Sequence, residues 1–245
     1  MNEYEDFERR QQRTRLLVGD GKLERLRRAH VLVLGVGGVG AYAAEQLARA
    51  GVGRLTLVDG DVVEPSNCNR QLPALTANFG RPKAEVMAER FREINPAIEV
   101  IPLVEFIRDE KIDRLLETRF DYAVDAIDQL SPKVFFILGC RKRKIPLISS
   151  MGSGGKTDPS LIQVADISRT RGCALARAVR TRLRDLGVHK GVKTVFSPEE
   201  VSRAAVHAWQ DEAGHNHSTV GTFSYMPAAF GCFCASVVLR GFAVG

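Results

Sequence analysis

Apolar positions in this chain fall into two textures. Val31-Leu-Val-Leu34, Arg54-Leu-Thr-Leu-Val58, Glu99-Val-Ile-Pro-Leu103, Tyr122-Ala-Val-Asp125 and Ile145-Pro-Leu-Ile-Ser149 are short, nearly continuous runs that read as buried strands. Between them, residues 41–50, 81–94 and 132–143 carry helical periodicity, the second closed by Asn95-Pro96. Strands separated by helices of this length predict βαβ units. The expected class is α/β, a Rossmann-like, doubly wound, mostly parallel sheet with a C-terminal extension.

Beyond Ser150 the pattern changes. Met151-Gly-Ser-Gly-Gly155 reads as flexible, residues 161–167 as a strand, residues 173–186 as a basic helix, and Thr194-Val-Phe196 as a further strand. Residues 197–220 are polar and hold three of the five histidines, which suggests a mobile, loop-rich excursion. Residues 221–244 are small and apolar and read as a helix. That segment is long enough for a membrane span, but Pro227, Gly231 and Arg240 interrupt it, so burial in the domain or a dimer interface is preferred.

Composition narrows the class. With 44% hydrophobic and 26% charged residues, the 245-residue chain is an ordinary globular protein, neither disordered nor fibrous. Its five cysteines contain no CxxC pair, so neither a disulfide framework nor a four-cysteine zinc site is indicated. The start, Met-Asn-Glu-Tyr-Glu-Asp, is acidic where a signal peptide would be basic and then apolar, so a cytoplasmic location is expected. The net charge of +6 permits a polyanionic partner without requiring one.

The chemistry concentrates at the ends of the strands. Gly35-Val-Gly37-Gly38-Val-Gly40 follows the first strand, opens a helix and stands 19 positions before Asp59. This spacing suits a phosphate-cradling turn followed by a ribose-binding acid. Asp61 lies where a 2′-phosphate would need a cation, which disfavours NADP. Asn67-Cys-Asn69-Arg70-Gln71 and Gly80-Arg-Pro-Lys83 then add two cations near the same strand ends. A dinucleotide has little use for them, whereas a triphosphate needs charge to hold its β- and γ-oxygens. Asp125-Ala-Ile-Asp128-Gln ends the fourth strand; Asp128 is the favoured Mg²⁺ ligand, while Asp125 serves equally well as a turn or cap residue.

Together these five motifs resemble the ThiF-type, ubiquitin-activating-enzyme-like adenylating superfamily over roughly residues 10–150. The resemblance implies a nucleotide-binding half over 1–150 and a substrate-facing, dimer-forming half over 151–245 of one domain. It implies ATP bound by Gly35, Gly37, Gly38, Gly40, Asp59, Asp61, Asn69, Arg70 and Lys83, with Mg²⁺ on Asp128. It also implies that Arg15, in Arg13-Thr-Arg15-Leu-Leu, reaches the partner subunit's nucleotide in a homodimer. Arg70, Lys83 and Arg15 would be the catalytic set.

Gly152-x-Gly154-Gly155, Asp158-Pro159, Val195-Phe-Ser-Pro-Glu199 and residues 221–231 resemble the branch that dehydrates threonylcarbamoyladenosine in tRNA. That branch implies adenylation of a threonyl carboxylate and capture of the acyl group by the substrate itself. It also implies a cysteine-desulfurase-type sulfur-transfer partner. The alternative is an activating enzyme for a ubiquitin-like or sulfur-carrier protein, which needs an acyl-accepting cysteine. Cys140, Cys232 and Cys234 read as packing residues, Cys173 opens a basic helix, and Cys68 adjoins the phosphate motif. His207, His215 and His217 lack the spacing of a metal site. The tRNA is expected to meet Arg141-Lys-Arg-Lys144 or the basic stretch 169–193.

Overall fold

The computed structural model describes residues 3–210 and 216–243. Three short helices lead in: α1 (Glu3–Arg10), α2 (Gln12–Val18) and α3 (Asp20–Arg28). There follow β1 (His30–Leu34), α4 (Gly40–Arg49), β2 (Arg54–Val58), α5 (Lys83–Ile94), β3 (Glu99–Leu103), α6 (Glu110–Leu115) and β4 (Tyr122–Asp125). The chain continues through α7 (Leu130–Lys142), β5 (Leu147–Ser150), β6 (Gln163–Asp166), α8 (Ala174–Asp185) and β7 (Lys193–Phe196). It ends with β8 (Val206–Gln210), β9 (Asn216–Val220) and α9 (Tyr225–Ala243).

Seven strands form one sheet in the order β3-β2-β1-β4-β5-β7-β6. All neighbouring pairs are parallel except β6 against β7. The chain winds outward from β1 to β3, then returns to place β4 on the other side of β1. That reversal opens a crevice above the carboxyl ends of β1 and β4, where such sheets bind ligands. Every residue of β1 is buried, as a strand covered by helices on both faces must be. Residue 150 marks no break in the sheet, because Ser149 and Thr194 are paired across it.

Two segments differ from the sequence pattern. The stretch 197–220 contains an antiparallel hairpin rather than loop alone, with Val206 opposite Val220 and His207 opposite Thr219. Its β-branched residues favour pairing, and polar composition masks that preference. Helices α1 to α3 are largely polar and bury few apolar groups, chiefly Phe7, Leu23 and Leu26. Their period is correspondingly faint.

The apolar C-terminal segment is a core helix. Met226, Phe230, Cys234 and Val238, four positions apart, form one buried face of α9. They pack with Ala43, Ala44 and Leu47 of α4 in the largest core cluster. Gly231 allows the closest approach: a Cβ there would stand 2.5 Å from the Val39 carbonyl oxygen and 2.8 Å from Tyr42 Cβ. On an exposed helix, Gly→Ala stabilises by about 1 kcal/mol. Here Gly231→Ala is expected to destabilise by about 1–3 kcal/mol through overpacking, as measured by urea denaturation.

Candidate active site

The cleft is built on a tight turn. Gly35 has φ +88°, and a Cβ there would press to 2.9 Å from the Ala126 carbonyl oxygen, so the β1 turn and the β4 turn touch backbone to backbone. A Cβ on Gly40 would overlap the Gly35 carbonyl oxygen, so Gly40 closes the turn from within α4. Gly35, Gly37 and Gly38 line the cleft, but Gly40 does not. Its expected place among the nucleotide contacts becomes a structural one.

Asp59 at the end of β2 locks this turn. Its Oδ2 accepts from the Val36 N–H at 2.7 Å and its Oδ1 from the Asp61 N–H at 2.9 Å. Burial nonetheless raises its pKa above the ordinary carboxylate value, the two backbone donors and Lys83 opposing that shift. Lys83, almost wholly buried at the start of α5, donates from Nζ to Asp61 Oδ2 at 2.9 Å. Asp61 therefore holds the ammonium group at the cleft in the absence of an anion.

Also at the cleft, Arg70 Nη1 donates to the Ser66 carbonyl at 2.9 Å and to Asn69 Oδ1 at 2.8 Å. Asn69 donates in turn to the Thr222 carbonyl oxygen at 3.1 Å. Arg70 lines the cleft, and Asn69 braces it against the approach to α9. Gln71 also lines the cleft, and its Oε1 is buried without a partner. A buried orphan acceptor at a cleft wall fits a ligand that brings donors.

The two aspartates after β4 divide their work. Asp128 is exposed and lines the cleft. Asp125 is wholly buried, with Oδ1 accepting from the Ile127 N–H at 3.1 Å. Its Oδ2 accepts from Lys133 Nζ at 2.8 Å and from Ser149 Oγ at 2.6 Å. Lys133, itself 0% exposed, also donates to the Ser150 carbonyl at 2.9 Å. One ammonium thus joins the turn after β4, which carries Asp128, to the strand leading to Ser153 on the other wall.

Lys133 has a faint sequence signal: a single charge opening the apolar run Val134-Phe-Phe-Ile-Leu138. Phe106, Arg108, Ser153, Thr222 and Pro227 also line the cleft and carry no motif of their own. The turn after β3 places Phe106 against Gly60, with the Arg108 guanidinium 5.9 Å from the Phe106 ring centroid.

Other expected residues fall elsewhere. Arg15, on α2, is outside its own cleft and pairs with Glu8 and with Asp20. Cys140 and Cys234 are buried and their thiols are pushed up to about 12, which removes them as nucleophiles. Cys173 caps α8, its Sγ accepting from the Ala176 N–H. Cys232 is exposed on α9 rather than packed, because it lies off that helix's buried face. Neither exposed cysteine, Cys68 or Cys232, lines the cleft. His215 lies outside the described residues, and those described hold no cluster of three or more metal-ligating groups.

The run from Arg141 to Lys144 lies at the end of α7 remote from the cleft. Helix α7 descends from Leu130 beside the cleft, and its 13 residues span about 20 Å. At the far end Arg141 bonds the Gly191 carbonyl and Arg143 pairs with Asp113.

The arrangement defines the class. A glycine turn, a buried acid after β2, two cations and an exposed carboxylate after β4 line one cleft, the set expected of an adenylating enzyme. The ThiF family matches residues 9–242, and the chain belongs to that family. It is 44% identical over 227 residues to the tRNA threonylcarbamoyladenosine dehydratase of Bacillus subtilis, spanning 92% of this chain and 88% of that protein. The crystal structure of Escherichia coli tRNA N6-threonylcarbamoyladenosine dehydratase, TcdA, in complex with ATP superposes with a TM-score of 0.88 at 38% identity. That likeness covers 97% of this chain and 95% of the other. The Escherichia coli molybdopterin-synthase adenylyltransferase is 37% identical over 130 residues, 53% of this chain and 51% of its own length.

A buried pair that loses one partner leaves an uncompensated charge. Lys133→Met is expected to lower the free energy of unfolding by about 3–5 kcal/mol. Adding Asp125→Asn should recover part of it, since the amide oxygen can still accept from Ser149. Urea denaturation of both variants checks this, and a Lys133→Met midpoint equal to that of the parent would contradict it.

Proposed function

We propose that this chain is an ATP-dependent dehydratase of threonylcarbamoyladenosine in tRNA. The carrying observation is coverage. The likeness to the dehydratases runs through nearly the whole chain, whereas that to the adenylyltransferase spans about half. The second half supplies Ser153, Thr222 and Pro227 to the cleft wall, so it shapes what meets the nucleotide.

The proposed chemistry has two steps. A carboxylate oxygen of the substrate's threonyl group attacks the α-phosphorus of ATP, and the bond to pyrophosphate breaks. The substrate's own carbamoyl group then attacks the activated acyl carbon, closing a ring as AMP leaves. Tethered attack of this kind has a high effective molarity and needs no protein nucleophile. Cys140 and Cys234 are buried with raised thiol pKa values, and neither exposed cysteine lines the cleft, which favours this reading over a carrier-activating one.

In this reading the two free faces of the glycine turn receive phosphate on backbone N–H groups, and Asp59 accepts from the ribose hydroxyls. Lys83 exchanges Asp61 for phosphate oxygens, and Arg70 grips the departing pyrophosphate. Mg²⁺ fits the donor set: Asp128 offers one exposed carboxylate, and the unpaired Gln71 Oε1 suits a water of its hydration shell. When bound, the ion would neutralise charge on the phosphates. Asp125 does not fit as its ligand, because both oxygens are engaged within the fold.

We further propose a homodimer in which Arg15 reaches the partner subunit's nucleotide. Leu16 and Leu17 beside it are 82% and 85% exposed, a patch that suits a subunit contact. A cytosolic location follows from the proposed tRNA substrate.

Four measurements test these assignments. The enzyme incubated with ATP and threonylcarbamoyladenosine-bearing tRNA should release AMP and pyrophosphate and yield a product lighter by one water in mass spectrometry. Arg70→Ala and Lys83→Ala should each lower kcat roughly 10²–10³-fold, and near-normal turnover would refute the phosphate assignment. For Asp59 the sign follows from its raised pKa: as pH falls, it protonates before an ordinary Asp and loses its charge and part of its capacity to accept. ATP affinity should therefore fall on acidification more steeply than in Asp59→Asn, where ATP's own titration is the same. Finally, mixing inactive Arg15→Ala and Lys83→Ala subunits should restore activity in the heterodimers, and no recovery after confirmed subunit exchange would exclude action in trans.

A further inference from the structure

We infer that the stacked side chains of Phe223 and Tyr225 form a platform for an RNA base beside the substrate nucleotide. The inference rests on the dehydratase reading and deepens it by assigning where the RNA is gripped.

The two rings lie 5.7 Å apart at 12°, close to parallel. Phe223 is 60% exposed and Tyr225 44%. Two neighbouring aromatics left open to water are costly on a surface unless something covers them. Their position limits what that is. They fall between Thr222 and Pro227, which both line the cleft. The adjoining backbone is fixed from three sides. Tyr225 Oη donates to the Thr157 carbonyl at 2.9 Å, Asn69 bonds the Thr222 carbonyl, and the Gly221 N–H bonds the Ala205 carbonyl at 2.8 Å. A rigid, planar, solvent-facing pair at the rim of a catalytic cleft is thus held in place before any ligand arrives.

The shape and setting match a nucleobase. Proteins that read single-stranded RNA splay bases out and stack them on aromatic rings. A reaction on a base-borne group requires the nucleotide to leave its stack, which unstacks its neighbours too. Those neighbours then sit at the cleft mouth, where the platform is. The charge agrees: Arg203, exposed in the short turn Arg203–Ala205 whose last carbonyl holds Gly221, stands ready for the backbone phosphates.

The test uses the full-length enzyme and a full-length tRNA carrying threonylcarbamoyladenosine. Phe223→Leu keeps the apolar volume and removes the π face, and Phe223→Trp keeps the face. Phe223→Leu is expected to raise the KM for RNA roughly tenfold or more while leaving the KM for ATP within twofold. Phe223→Trp should retain the parent KM, and its added indole fluorescence should be quenched when the RNA binds. Light scattering reports the oligomeric mass throughout. An unchanged RNA KM in Phe223→Leu, with the parent enzyme active, overturns the inference alone. A fall in oligomeric mass in Phe223→Leu also overturns it, by making the stack a subunit contact. Failure of the parent enzyme to consume this RNA overturns the dehydratase reading itself.

Discussion

The buried pair between Lys133 and Asp125 is the constraint on which the cleft depends. Removing two full charges from water is expensive, and a well-packed apolar pair would often serve stability as well. What the ion pair provides is direction. Asp125 points one oxygen back at its own turn and the other at Ser149, while Lys133 reaches the end of β5. The carboxyl ends of two strands are therefore set relative to each other by short, directional bonds. Gly35 presses its turn directly onto Ala126, so the same constraint reaches the glycine turn and, through Val36, Asp59. A small shift at Lys133 would move both walls.

The cleft is also arranged around substitutions of partner. Lys83 lies against Asp61, and Arg70 against Asn69 and the Ser66 carbonyl. Each cation is paired, yet each partner is a group that phosphate oxygens can replace. Such pairing spares a nearly buried ammonium from standing without a partner. It also preorganises charge at the cleft, which is the form of electrostatic assistance a departing polyphosphate needs.

Much of this was legible in the residues, and the failures have physical causes. The central strands are buried on both faces, so their apolar runs stand out, and β2 and β3 match the sequence boundaries residue for residue. Glycines, cations and acids at strand ends are set by a local turn and carry a local spacing. Lys133 acts eight positions from Asp125, across a helical turn and into a neighbouring strand, and only the tertiary fold brings the two together. Asn69 and Gly40 show the converse: a motif marks positions a site needs, without separating those that line the cleft from those that brace it. The hairpin β8–β9 escaped because its signal is β-branched pairing between strands of polar composition. Helices α1 to α3 escaped because they are anchored at few points.

The docking of α9 on α4 sets an order in time for a chain made from one end. About 180 residues separate the two helices in sequence, and at roughly 5–20 residues per second the ribosome needs on the order of 10–40 s to cross that gap. Through that interval the face of α4 bearing Ala43, Ala44 and Leu47 lacks its cover, and Thr222 and Pro227 have not arrived to complete the cleft. A nascent chain can hold the glycine turn and Lys83 long before it has the wall that faces them. Copies that still lack α9 are thus poorly equipped to spend nucleotide, and they carry a sticky helix face that invites chaperones until α9 emerges.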